Sequence, residues 1–306
     1  MSLNNLENKH RHPVPPDVIR ESEFFSRRLI LVYRANFHPV FLHSARSRNQ
    51  ALLLSLVCKE AYAWIVRVIY RSVTFTTHVD LVKFQNTISN HPELAGYIHS
   101  LYIGSTQHEK YPEAQTRSHS RIKYDRPPRK LTWNHSTLVI VQELLSHSRN
   151  IERLALINLP PSNWSAIEGR LPARLKTLAI GPSYGLLGLN VAHRGLERFY
   201  YADTILQSSE LARIASLPSL TDFRWKSPLR FDDVVYGQLK LLLQSISLQT
   251  LHITLFGTET EMLSLYKTEY DDLLQDGRIT IVCDPTYEES REWIKDFHEQ
   301  WHAVEV

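Results

Sequence analysis

The sequence predicts an α/β protein in which a short N-terminal helical region precedes an irregular parallel β/α solenoid. Three observations lead to this prediction. A short apolar pattern typical of strands recurs along most of the 306 residues, and segments with helical spacing lie between its copies. Before the first predicted strand, the apolar residues from Leu53 to Ile69 recur at steps of three and four, as on one face of a helix. We therefore place the helical region at residues 1–72 and the solenoid at residues 73–306.

The recurring pattern is apolar-x-x-apolar-x-apolar, and successive copies start 53, 24, 21, 24 and 28 residues apart. Four of these five separations fall in the 20–29-residue range of leucine-rich repeats, whose strand half the pattern resembles. The copies lack the asparagine that closes the strand turn in regular repeats, so we expect an irregular array. An ordinary α/β sheet with accidental spacing is the alternative. The copies start at Ile98, Ile151, Leu175, Leu196, Leu220 and Leu248.

The segments between these copies predict crossover helices. Leu138–Leu145 and Val234–Ile246 show apolar residues at steps of three and four, and Asp232 and Asp233 are start signals for the second. A further strand is predicted at Arg278–Val282. Helices that return the chain to the same sheet make parallel strand pairs with right-handed crossovers. Stacked units of this kind bury a core that no single unit could bury alone.

An insertion explains the longest separation. Residues 104–136 carry seven bases and three acids and show no apolar period, which indicates a long solvated loop. Tyr111, Tyr124 and Trp133 lie among the bases and could stack on nucleotides. A net charge of +4 over 33 residues is weak for that purpose, so we expect no nucleic-acid partner.

The C-terminal stretch predicts a helix that caps the end of the array. Trp293, Phe297, Trp301 and Val304 form its apolar stripe. His298-Glu-Gln-Trp-His302 on the same helix matches the H-E-x-x-H zinc motif. A catalytic zinc needs a third protein ligand, which families with this motif place downstream, and only four residues follow His302. We therefore expect no metal here.

A second motif resembles a catalytic one. Gly181-Pro-Ser183-Tyr-Gly185 follows a predicted strand, as in the nucleophile elbow of hydrolases, and Asp222 and His252 follow later in the chain. Glycines interrupt the helix that the elbow requires, and the same strand already belongs to a repeat. We expect a protein that is not an enzyme. A hydrolase that uses Ser183 or His298 with His302 remains the minor alternative.

The composition of the chain argues against several further classes of protein. No window holds the roughly 18 apolar residues of a membrane helix, and the first residues do not resemble a secretory signal. Two cysteines, Cys58 and Cys283, exclude a disulfide framework, and the glycines form neither nucleotide-binding pattern. We expect a cytoplasmic or nuclear protein with no cofactor and no membrane partner. Residues 1–150 carry a charge of +9 and residues 151–306 a charge of −6, which is typical of solvated faces or of separate binding surfaces.

The N-terminal helical region resembles a known family. Leu52-Leu-Leu-Ser-Leu-Val-Cys-Lys59, followed by Ala61-Tyr-Ala-Trp-Ile65 and Ile69-Tyr-Arg-Ser-Val73, is similar to the second half of a fungal F-box. Proteins of that family commonly continue into irregular leucine-rich repeats and end on a tryptophan-bearing helix. Residues 14–19 resemble the opening of the box, but Leu52 lies 33 residues beyond Ile19. Either an insertion splits the box, or a substitute helix within 37–47 completes it.

This resemblance implies a substrate-receptor subunit of a cullin-type ubiquitin ligase. The F-box helices would bind a Skp-type adaptor of the cullin complex, and the repeats would bind a target protein. Such a chain carries no catalytic group. A leucine-rich-repeat-like scaffold unrelated to ubiquitin is the alternative, and Trp64 fits a core position as well as an adaptor contact. The adaptor-binding residues implied by the resemblance are Pro16, Ile19, Leu56, Val57, Cys58, Trp64 and Ile65.

Overall fold

The fold is taken from a computed structural model of the chain. The structure describes residues 59–104, 131–181, 194–202, 206–285 and 293–303. Contacts divide the chain into two units, residues 1–69 and residues 70–306. Helix α1 (Lys59–Arg71) contains the boundary between them, and its first eleven residues are the described part of the first unit.

Strands and helices alternate through the described residues of the second unit, except between β4 and β5, where part of the connection lies outside them. A 3-10 helix at Pro92–Tyr97 precedes the second strand. The strands are β1 (Ser72–Phe75), β2 (Ser100–Ile103), β3 (Arg153–Ile157), β4 (Thr177–Gly181), β5 (Arg198–Ala202), β6 (Asp222–Ser227), β7 (Thr250–Phe256) and β8 (Ile279–Asp284). The helices are α2 (His78–Asn90), α3 (His135–His147), α4 (Pro161–Glu168), α5 (Ser208–Ala215), α6 (Asp233–Leu243), α7 (Glu259–Leu274) and α8 (Trp293–Ala303).

The eight strands found among the described residues are all parallel and lie in the sheet in the order of the sequence. The prediction of a parallel β/α fold is confirmed. Leu154 lies beside Leu101 on one side and Leu178 on the other, and Phe199, Phe223 and Leu251 continue the same row. The recurring pattern therefore marks equivalent positions of neighbouring strands, and its spacing is the length of chain needed to return to the sheet one strand further on.

The sheet has two chemically different faces, because side chains alternate along each strand. Right-handed crossovers between strands in sequential order place the connecting helices on one face, where neighbouring helices pack side by side. We call the opposite one the open face. The strand residues that face the connecting helices are buried, and they include Leu101, Ile103, Leu154, Leu156, Leu178, Ile180, Phe199, Tyr201, Phe223, Trp225, Leu251 and Ile253.

Polar side chains start α3 and α6, and at α6 the sequence predicts this start. The Asp232 carboxylate accepts a hydrogen bond from the backbone N–H of Val235 at 2.7 Å, which caps α6. Asn134 caps α3 in the same way through the N–H of Thr137, at 2.9 Å. The predicted apolar stripe of α6 is wrong at its end, because the helix stops at Leu243 and Ile246 is fully exposed in the following turn. The chain must leave the helix there to reach β7.

Glycine is required where β4 meets β5. Gly181 ends β4 at a φ of +155°, and a Cβ atom at this position would collide with the carbonyl oxygen of Ala202 on the next strand. Gly104 has the same role after β2, where an added Cβ would lie 2.5 Å from the Cβ of Ile157. These close approaches depend on the absence of a side chain.

Replacing Gly181 by alanine should lower the free energy of unfolding by at least about 1 kcal/mol, since the strand ends must separate to admit the methyl group. Gly169→Ala is the matched control. Gly169 has helical φ and ψ of −68° and −5°, and nothing lies within 4 Å of an added Cβ. Urea unfolding measures both variants. Equal stability of the two would contradict the close approach at Gly181.

The two ends of the insertion are held next to each other. The N–H of Gly104 donates to the carbonyl of Phe75 at 2.9 Å, and the N–H of Leu131 donates to the carbonyl of Thr76 at 3.1 Å. Residues 131–136, which the sequence places in the insertion, belong to the array, because Leu131 is buried and the Trp133 indole N–H donates to the carbonyl of Ile157. Residues 105–130 lie outside the described residues.

Replacing residues 107–128 by four Gly and Ser residues should therefore leave the unfolding temperature unchanged or raise it slightly. The ends are already adjacent, the removed sequence is polar, and a shorter loop costs about 1 kcal/mol less to close. Calorimetry of the shortened chain checks this. A fall of more than about 5 °C would mean that the removed residues contribute buried core.

Candidate binding site

Most residues of the predicted adaptor site lie outside the described residues. This applies to Pro16, Ile19, Leu56, Val57 and Cys58. Trp64 and Ile65 lie in α1, where Ile65 is 0% exposed and the side chain of Trp64 is not described. Ile65 is therefore the one predicted adaptor contact whose side chain the structure describes, and it is buried.

Neither predicted catalytic alternative can be followed in full, because Ser183 and the side chain of His302 are outside the part of the chain that the structure describes. Asp222 forms an ion pair with Arg224 at 3.4 Å. His298 lies in α8, where its ring packs edge-on against Tyr102 with centroids 4.9 Å apart. The described residues contain no group of three or more His, Cys, Asp or Glu that could hold a metal ion. Within the same ranges, no helix has the length and apolar character needed to cross a membrane.

Helix α8 lies on the open face. Its Ile294 and Trp301 are buried in one cluster with Tyr102, Ala155, Ile157 and Ala179, which come from β2, β3 and β4. Tyr102, Ala155, Ala179 and Tyr200 are direct neighbours in one row of the sheet. The two alanines form a trough between two tyrosines, and the apolar stripe of α8 fills it. The sequence predicts a helix that caps the end of the array, whereas this helix packs on the open face of β2–β4.

Arg153 on β3 holds the last turn of α8. Its Nη2 donates to the Trp301 carbonyl at 2.8 Å, and its guanidinium lies 4.4 Å from the centroid of the Trp301 ring. Carbonyls in the last turn of a helix lack partners within the helix, and a cation there is favourable to the helix dipole. The stacking of a guanidinium on an indole adds a cation–π interaction. Shape and charge together position α8.

Ala179→Leu should displace α8, because the larger side chain fills the trough at a cost of about 1–3 kcal/mol. The side chain at position 179 points away from the connecting helices, so the core between the sheet and those helices stays intact. The measurement is amide hydrogen exchange of residues 293–303, which should become faster. Ala212→Leu, at an exposed position of α5, is the matched control and should change nothing. Equal exchange in both variants would show that α8 does not need the trough.

A cleft of about 250 Å³ lies beside α8 on the open face. Its floor comes from β5, β6 and β7, where Tyr200, Arg224 and His252 are direct neighbours in one row and Lys226 and Thr254 in the next. Phe297 and Gln300 of α8 also line it. The cleft is therefore formed jointly by the open face of the sheet and by α8.

The cleft is rich in cations and hydrogen-bond donors. The Arg224 guanidinium lies 5.0 Å from the Tyr200 ring centroid, and Lys226 Nζ lies 3.6 Å from Asp284. Burial and the nearby Arg224 lower the pKa of His252, so its imidazole is neutral at pH 7. Burial also raises the pKa of Tyr200, which keeps its hydroxyl protonated. The polar groups of the cleft suit an anionic ligand better than a cationic one.

The sequence analysis missed this cleft. It named His252 only as a histidine that follows Ser183, and Phe297 only as part of the apolar stripe of the C-terminal helix. The available signal was the residue between the last two apolar positions of each copy, because that residue points to the open face. At this position the six copies carry Tyr102, Ala155, Ala179, Tyr200, Arg224 and His252.

Comparison of the sequence with protein-family models and with curated proteins found no match.

Proposed function

We propose that this protein is a non-catalytic interaction protein that binds a target protein on the open face, and that it acts as a substrate-receptor subunit of a cullin-type ubiquitin ligase. One observation carries the proposal. An F-box-like sequence leads directly through α1 into a sequentially ordered parallel sheet, whose open face presents a cleft of charged and aromatic side chains. The open-face cleft supports the binding role, and the F-box resemblance supports the ubiquitin role.

The topology favours binding over catalysis. Open α/β enzymes bind substrates at the point where the strand order reverses, and the eight described strands contain no reversal. Within the described residues, His252 makes no hydrogen bond to a carboxylate, so the cleft lacks the oriented base of a nucleophilic triad. A row of outward-facing side chains on a stacked array is a surface typical of protein binding.

A receptor subunit needs no catalytic group of its own. It holds a target near the conjugating enzyme and so raises the effective concentration of the target's lysines. The adaptor contact would come from the F-box-like helices and the target contact from the open face. Because these surfaces belong to different parts of the chain, they can be tested separately.

Co-expression with a Skp-type adaptor tests the ubiquitin role, and we expect the two chains to co-purify. Leu56→Asp with Val57→Asp should abolish co-purification, because unpaired carboxylates are costly in a packed interface. Val79→Asp with Val234→Asp is the matched control. It adds the same two charges at positions on α2 and α6 that are 49% and 62% exposed, and it should leave adaptor binding intact.

The outcome separates the two candidate functions. If the intact chain does not bind the adaptor, the remaining candidate is a repeat scaffold outside the ubiquitin system. Two observations favour that candidate: Ile65 is buried, and the opening-like residues Pro16–Ile19 lie far from Leu52 in the sequence. Removal of residues 1–49 tests that opening. Full adaptor binding without it would show that the opening does not belong to the box.

A further inference from the structure

We infer that the cleft beside α8 binds one anionic side chain, a carboxylate or a phosphoryl group, of an acidic peptide segment. The inference deepens the proposed function, since it rests on the open face being the target-binding surface. It does not depend on the adaptor or on ubiquitin.

Arg224 is the main anion-binding group of the cleft. Within the described residues its hydrogen bonding is confined to Nε, which approaches Asp222 at 3.4–3.5 Å, while Nη1 and Nη2 make no hydrogen bond. Charge-assisted N–H···O bonds are normally about 2.7–2.9 Å long, so the Asp222 contact is loose. The side chain is 48% exposed. Its two terminal nitrogens are thus available for the bidentate contact that carboxylates and phosphoryl groups make with a guanidinium.

Further donors surround Arg224. Lys226 lies on the same strand and the same face, and its Nζ forms an ion pair with Asp284 at 3.6 Å. Thr254 and Gln300, which carry a hydroxyl and an amide, line the same cleft. His252 is neutral and can donate one N–H. Three elements, β6, β7 and α8, therefore contribute residues with donor groups to the lining of one small cleft.

The size of the cleft limits the ligand. A volume of about 250 Å³ lies below the roughly 300–1,000 Å³ of ordinary small-molecule pockets, so the cleft suits a side chain better than a larger ligand such as a nucleotide. Tyr200 and Phe297, whose ring centroids are 6.0 Å apart, provide an apolar wall for the stem of that side chain. Arg224 and an anion would be partly desolvated there, which strengthens their attraction.

The surrounding charges favour a single anion over a polyanion. Asp222 and Asp284 flank the two cations, and Glu299 is exposed on α8. These carboxylates would repel a continuous phosphate backbone or an anionic membrane. One isolated anionic side chain can contact the cations and avoid the acids. This distribution favours a peptide ligand.

The test measures the binding of defined peptides to the full chain. Four fluorescein-labelled peptides serve as probes, each with Gly and Ser flanks around three identical residues: Glu, phosphoserine, Gln or Lys. Their binding is measured by fluorescence anisotropy at about 50 mM salt, which limits electrostatic screening. We expect the Glu or the phosphoserine peptide to bind at least roughly tenfold more tightly than the Gln peptide. The stronger of the two acidic probes distinguishes a carboxylate from a phosphoryl ligand.

Arg224→Gln should reduce the acidic preference roughly tenfold, because it removes the charge and the bidentate donor. Lys267→Gln removes one exposed charge on α7 and is the matched control, which should bind like the wild type. Arg224→Glu should reverse the preference toward the Lys peptide. That gain cannot arise from a misfolded chain.

Three outcomes would overturn the inference. They are equal binding of the acidic and Gln peptides, an unchanged preference in Arg224→Gln, and no binding of any probe up to about 1 mM. The adaptor experiment gives an independent result. If the adaptor co-purifies but no acidic peptide binds preferentially, the proposed anion-binding role of the cleft is refuted and the ubiquitin role is not. If the acidic peptide binds but the adaptor does not co-purify, only the ubiquitin role is refuted.

Discussion

The register between parallel strands is the constraint on which the rest of the structure depends. Each repeat places its central apolar residue beside the equivalent residue of the next strand, as Leu154 lies between Leu101 and Leu178. A slip of one residue would turn the whole apolar row to the other face and bury residues such as Arg224. The buried row and the connecting helices, which pack against each other, together prevent this slip.

That register also separates stability from binding. One face of the sheet holds leucines and large aromatics under the connecting helices, so substitutions there create cavities or strain. The other face is not covered by the connecting helices, and along a single row it changes from two alanines to tyrosine, arginine and histidine. The first part of this row receives α8, and the second part forms the cleft. A single periodic scaffold thus presents two different surfaces on its open face.

Helix α8 links the end of the chain to the site. It covers the apolar trough that would otherwise be exposed on β2–β4, and its Phe297 and Gln300 complete the cleft over β5–β7. Arg153 secures its last turn by contacting both the carbonyl and the ring of Trp301. Since a residue on β3 positions a helix that shapes a cleft over β5–β7, the binding surface depends on packing several strands away.

The sequence by itself determined the periodic part of this protein. The separations of 21–28 residues, the apolar alternation and caps such as Asp232 predict strands, helices and a parallel sheet, because they express local geometry that repeats. Only the tertiary structure decided where α8 lies, that residues 131–136 belong to the array, and that Arg224, Lys226, His252 and Gln300 share one cleft. Those arrangements join residues far apart in the chain. They depend on shape complementarity, as in the cluster that α8 forms with Ala155 and Ala179, which no spacing pattern records.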